Sequence, residues 1–217
     1  MHRRSHVILA STAAVLLGFS LTACAPASTD GSATPSPSPT SSPAPSPSVT
    51  PTPEVHIIQI SVDGLSIDDG PVITYREPDG AVAALTDAFG SAPTEGPVEG
   101  PYGSVYAGFD WEGTKATVQE TYFYLSVSAD APGVTFRTPE GIGIGSTRAE
   151  AVAAGAVDGW DEDSDGVADY LSIGMREVPG TESLEHPGEV GVEYINLKIT
   201  DDTVTRLSSG GNDFADI

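Results

Sequence analysis

Lysine is nearly missing from this chain. Only Lys115 and Lys198 occur in 217 residues, and with the arginines they make nine basic residues against 31 acidic ones, a formal charge of −22. A field of that sign repels nucleic acid and anionic lipid and favours divalent cations or basic partners. Cysteine is scarcer still. Cys24 stands alone, so intrachain disulfides are excluded and stability has to come from a packed core. One cysteine and four histidines, His2, His6, His56 and His186, also offer no zinc-ligand spacing. Long apolar runs are lacking too: the run over 7–21 has about 15 residues, against roughly 20 for a membrane-spanning helix.

What is present begins at that run. Arg3 and Arg4 precede it and small residues follow it, the build of a secretory signal peptide. It ends in Leu21-Thr22-Ala23-Cys24, which resembles the bacterial lipobox. The resemblance implies removal of residues 1–23 and a diacylated Cys24 as the first mature residue. Two acyl chains hold stably at a membrane where one would not. The expected location is therefore the extracytoplasmic face of the cell membrane, reached through the lipid anchor. Loss of Arg3 and Arg4 leaves seven basic residues against 31 acidic, a formal −24.

Residues 25–53 are almost entirely Pro, Ser, Thr and Ala. Such a segment cannot bury apolar surface and is expected to stay disordered and extended, in polyproline II form. At about 3.1 Å per residue it reaches up to roughly 90 Å. The sequence thus divides into a signal peptide (1–23), a lipidated Cys24 with its linker (24–53), and a folded part (54–217).

In the folded part, Ile58, Ile60 and Val62 alternate with Gln59 and Ser61, a strand pattern that Leu65 and Ile67 continue. Asp79 is placed as the N-cap of a helix over 81–89 that Gly90 stops. A Gly/Pro-rich loop is expected to about residue 103. Val105, Ala107, Phe109 and Trp111 alternate next, then Phe123, Leu125 and Val127. After a short strand at 134–137, Thr147 and Glu150 have capping-box spacing before a short helix. Leu171, Ile173 and Met175, then Ile195, Leu197 and Ile199, then 204–207 read as strands. Ala-Val-Ala-Ala occurs at 81 and again at 151, which is consistent with either a duplication or a chance match within one domain. The expected class is α+β, in two similar halves (54–128 and 129–217), each a short helix packed on antiparallel strands. Two halves of that kind resemble the tandem repeats of beta-lactamase inhibitor proteins. Lipobox, Pro/Ser/Thr spacer and acidic α+β domain together resemble a group of actinobacterial surface lipoproteins.

Four carboxylates form the sharpest motif. Asp161, Asp163, Asp165 and Asp169 stand at positions 1, 3, 5 and 9 of a loop with Gly166 at position 6, which resembles the calcium loops of EF-hands and thrombospondin type 3 repeats. Ser172 stands where an EF-hand has its bidentate Glu. The same residues also read as an acidic hairpin loop turning at Asp165-Gly166. Other motifs are weaker. Gly141-Ile-Gly143-Ile-Gly145-Ser-Thr lacks the lysine of a phosphate loop, and Ser183 with His186 lacks the G-x-S-x-G elbow of a hydrolase. With 31 acidic residues, no Asp/Glu pair for an envelope hydrolase stands out over another. The function expected is a non-enzymatic binding module displayed on its spacer, with the Asp/Glu hydrolase as the alternative. Its partner is expected to be a basic envelope or extracellular protein. Tyr106 and Tyr124, on the strand faces opposite the expected core, are the candidate binding aromatics, or else they pack beneath the other half.

Overall fold

The alternation that opens the folded part buries Ile58 and Ile60 completely in β1 (His56–Ser61), which turns directly into β2 (Gly64–Ile67). The computed structural model describes residues 55–214; the signal segment, Cys24 and the linker lie outside them. α1 (Pro78–Phe89) follows, then β3 (Thr94–Glu99), β4 (Val105–Trp111), β5 (Thr114–Gln119) and β6 (Tyr122–Val127). β7 (Val134–Arg137) leads to α2 (Arg148–Ala153), and β8 (Val157–Asp158), β9 (Tyr170–Glu177), β10 (Val192–Thr200) and β11 (Thr203–Asn212) complete the order. Two helices on mainly antiparallel strands make this an α+β fold, weighted towards β.

The strands form two sheets. A three-stranded one has the order β2-β1-β7, and an eight-stranded one the order β3-β4-β5-β6-β11-β10-β9-β8. Two of its hairpins close on two-residue turns with positive φ at both positions, Glu112-Gly113 (37° and 95°) and Asp201-Asp202 (50° and 58°). That geometry matches the right-handed twist of the strands it joins. α1 links the sheets: the ring of Phe89 lies 5.9 Å from Trp111 in β4 and 6.1 Å from Phe136 in β7. Leu85 of α1, Phe123 and Leu125 of β6, and Leu197 of β10 are buried in the same core.

Several expectations need correction. Asp79 lies inside the first turn of α1, where its charge suits the helix's positive end; the capping position is Glu77, with Pro78 opening the helix. β3 occupies part of the expected loop, and β5 and β8 carried no expectation. Val105 is exposed because β5 meets β4 only from Ala107 onward. Met175 is exposed as well: Gly174 at φ 67° shifts the β9–β10 register and breaks the alternation.

The expectation of two similar halves does not follow from this topology. The large sheet is symmetric in order about β6 and β11, but β7 pairs with β1, His56 opposite Val134, across the expected boundary at 128. That pairing is parallel, whereas β6 and β11 are antiparallel. A two-fold axis that carried β6 onto β11 would reverse β1 on the way to β7. The two stretches share both sheets and one core.

Phe136→Ala tests this sharing. Removing a fully buried Phe should cost about 3–5 kcal/mol. Far-UV circular dichroism and tryptophan fluorescence, from Trp111 and Trp160, should still report a single coincident unfolding transition; two separated transitions would mean two independent halves.

Candidate metal centre

The acidic loop spans the turn between β8 and β9. Ser164 (φ 60°) and Gly166 (φ 91°) take left-handed backbone there and coil the loop on itself. The Asp side chains satisfy the loop's own amides. Gly166 N–H donates to Asp161 Oδ2 at 2.9 Å, Asp165 N–H to Asp163 Oδ1 at 3.1 Å, and Val167 N–H to Asp165 Oδ1 at 2.8 Å. Glu162 N–H reaches Asp169 Oδ2 at 2.7 Å, closing the loop from its far end. These bonds draw the carboxylates of Asp161, Asp163 and Asp169 together, with one oxygen of each within 4.8 Å of the others. Oxygens bound to one calcium-sized ion at about 2.3–2.6 Å can be no more than roughly 5.2 Å apart. Asp161 Oδ1 is buried and has no hydrogen-bond partner. The cluster can hold a metal ion, and an all-oxygen donor set suits a hard cation. Asp165 is the one expected ligand outside the group. Ser172, at position 12, is buried in β9 opposite Asn196.

Two cations brace the loop from behind. Arg148, the first residue of α2, donates from Nη2 to the Ala168 carbonyl at 2.5 Å and from Nε to Asp202 at 3.3 Å, and its Nη1 lies 3.7 Å from Asp158. Lys198 of β10 bonds Glu162 at 3.2 Å and sits 5.1 Å from the centre of the Tyr170 ring. Its pKa is raised, first by Tyr170 and then by Glu162. α2 itself starts as expected: Thr147 Oγ1 accepts from Glu150 N–H, and Glu150 Oε2 accepts from Thr147 N–H. Sequence reading missed Arg148 because its partners are distant in the chain.

The other motifs find structural employment. In the glycine-rich stretch, Gly143 N–H donates to Ser146 Oγ and Gly145 N–H to the Val204 carbonyl, so those amides do not face an anion. Ser183 is buried; its hydroxyl donates to Asp213 at 2.6 Å and accepts from the His186 amide at 2.9 Å. It ties the loop to the chain's last described residues. Asp63 and Glu193 both engage Arg176. Tyr106 and Tyr124 lie on the sheet face opposite Phe109 and Phe123, each half-buried over a glycine. A Cβ on Gly100 would fall 2.1 Å from the Tyr106 ring, and one on Gly210 would fall 2.7 Å from that of Tyr124. Tyr124 also packs 4.6 Å from Tyr122, whose own pKa burial pushes up to about 12.

Fold and site thus define an acidic, mainly antiparallel α+β domain with a braced carboxylate loop able to take a cation. No protein-family model, curated protein or solved structure matches the chain.

The brace gives a prediction. Arg148→Ala removes a charged donor from the Ala168 carbonyl, worth about 1.5–3 kcal/mol of local order. Amide exchange over 161–169 should speed up while β1 and β2 keep their protection. Unchanged exchange in the loop would mean that Arg148 does not hold it.

Proposed function

We propose that the chain is a lipid-anchored, extracytoplasmic binding module, non-enzymatic, whose acidic loop takes calcium. The observation that carries the calcium part is the convergence of Asp161, Asp163 and Asp169 within 4.8 Å around a buried, unpartnered Asp161 oxygen. Oxygen-only ligands and the Asp-x-Asp-x-Asp-Gly loop favour calcium over softer metals. The attachment is read from Leu21-Thr-Ala-Cys24; among the described residues no helix is long and apolar enough to cross a membrane. The binding role is supported by the acidic surface, which suits a basic envelope or extracellular partner and does not suit nucleic acid.

Calcium bound to the folded state alone raises the melting temperature by mass action. Millimolar calcium should therefore stabilise the domain, Asp163→Ala with Asp169→Ala should abolish the gain, and Asp165→Ala should only reduce it. A melting curve unmoved by calcium leaves the loop an acidic hairpin.

The anchor has its own test. Cys24→Ala should release the protein from membranes or leave an uncleaved precursor. Unmodified Cys24 in membrane-associated mature protein, seen by mass spectrometry, would defeat it.

A further inference from the structure

One edge of the large sheet is a two-stranded ribbon formed by β3 and the start of β4. β5 pairs with β4 only from Ala107 onward, so Val98, Glu99, Val105 and Tyr106 belong to a ribbon with no strand beyond it. All six residues of β3 are exposed. Val105 is 64 % exposed, and Tyr102, at the tip, is fully so. A two-stranded ribbon that buries this little gains little stability from its own packing; Val98 and Tyr106 share one of its faces and Val105 the other, so its most exposed apolar side chain is Tyr102 at the tip.

The tip is nevertheless well fixed. Gly100 N–H donates to the Ser104 carbonyl at 2.8 Å, and the Ser104 amide and hydroxyl both donate to the Pro101 carbonyl, at 3.1 and 2.6 Å. The Tyr106 ring lies on Gly100, and Pro101 stiffens the turn. Tyr102 is held at φ 57°, a left-handed conformation uncommon for an aromatic residue. Strain of that kind persists where the surroundings impose it, and it clusters at functional sites. A large ring held out by an ordered turn has little left to lose on binding.

We infer that this ribbon tip is the docking element of the protein, with Tyr102 entering an apolar pocket rimmed by Lys and Arg on a basic protein partner. The inference rests on the binding-module reading and names its surface. Charge selects the occupant. Residues 94–107 hold Glu95 and Glu99 and no Lys, Arg or His, so a second copy of this acidic chain would meet like charge, as would anionic lipid. Pro97 removes a donor from the middle of the free edge, which discourages added strands. Recognition therefore runs through side chains, with the exposed aromatic as its anchor.

The test places a photo-crosslinking phenylalanine analogue at position 102, or at Val152 on α2 as control, in the full-length protein in its own cells. Capture of a protein of net positive charge from 102 and not from 152 is expected. That protein, purified, should bind the wild type with an affinity that falls with salt. Tyr102→Ala and Tyr102→Asn should each weaken it at least about tenfold without moving the melting temperature; Asn keeps the left-handed backbone. An adduct with a second copy of this chain or with lipid, or an affinity indifferent to both substitutions, overturns the inference. Capture from 152 alone would refute the ribbon and leave the binding module standing. No protein captured from either position would count against both.

Discussion

Val127 opposite Leu207 and Ser126 opposite Ser208 are the pairs that join β6 to β11, and through them the two groups of strands become one sheet. Past this short seam the ladder ends, where Gly210 takes φ 76° and β11 shifts register against β10. The buried amide of Leu125 would then lack an acceptor, at a cost of about 1–3 kcal/mol. It is satisfied by Ser209 Oγ at 2.9 Å, a hydroxyl standing in for a carbonyl. The Tyr124 ring closes over the glycine from the other side. Ser208-Ser-Gly-Gly211 thus forms part of a strand although its composition reads as linker.

The acidity that dominates the composition is concentrated in the turns. Among the described residues, Asp68, Asp69, Glu112, Glu120, Asp201 and Asp202 are six of the eight non-glycine residues with positive φ, a conformation that the short side chain of Asp tolerates better than most. Turn chemistry therefore puts carboxylates at the ends of hairpins, away from the core. Few cations remain to offset them, and the structure uses these as ties. Arg148 joins α2, the acidic loop and the 201–202 turn. Arg176 joins β9, β10 and the β1–β2 turn through Glu193 and Asp63.

Strands that lie wholly against the core were legible in the sequence, because Ile58 and Ile60, Phe123 and Leu125, or Leu171 and Ile173 keep strict alternation. β5 was not, since its inward residues Thr114 and Ala116 are too small or polar to register as a hydrophobic face. β3 was hidden for the opposite reason: it buries nothing, and its Gly96 and Pro97 read as a loop. The loop carboxylates were legible from spacing alone, but which three converge was not, because Asp165 is drawn off by the Val167 amide. The ribbon tip left no periodic trace, only a Tyr between Pro101 and Gly103. Tyr106 and Tyr124 lie opposite Phe109 and Phe123, as alternation gives, but the glycines they rest on are set by register and not by composition.

The parallel pairing of His56 with Val134 also orders events in time. During synthesis β1 is complete long before β7 exists, so it can form the β2 hairpin but must wait with its other edge open. Loop closure over that distance costs entropy before contacts repay it. Phe136 cannot meet Phe89 until then, and the helix that pins the sheets together stays half-anchored. The small sheet, first in sequence, therefore closes only after β3 to β6 have already emerged, and the large sheet closes later still, when β11 reaches β6.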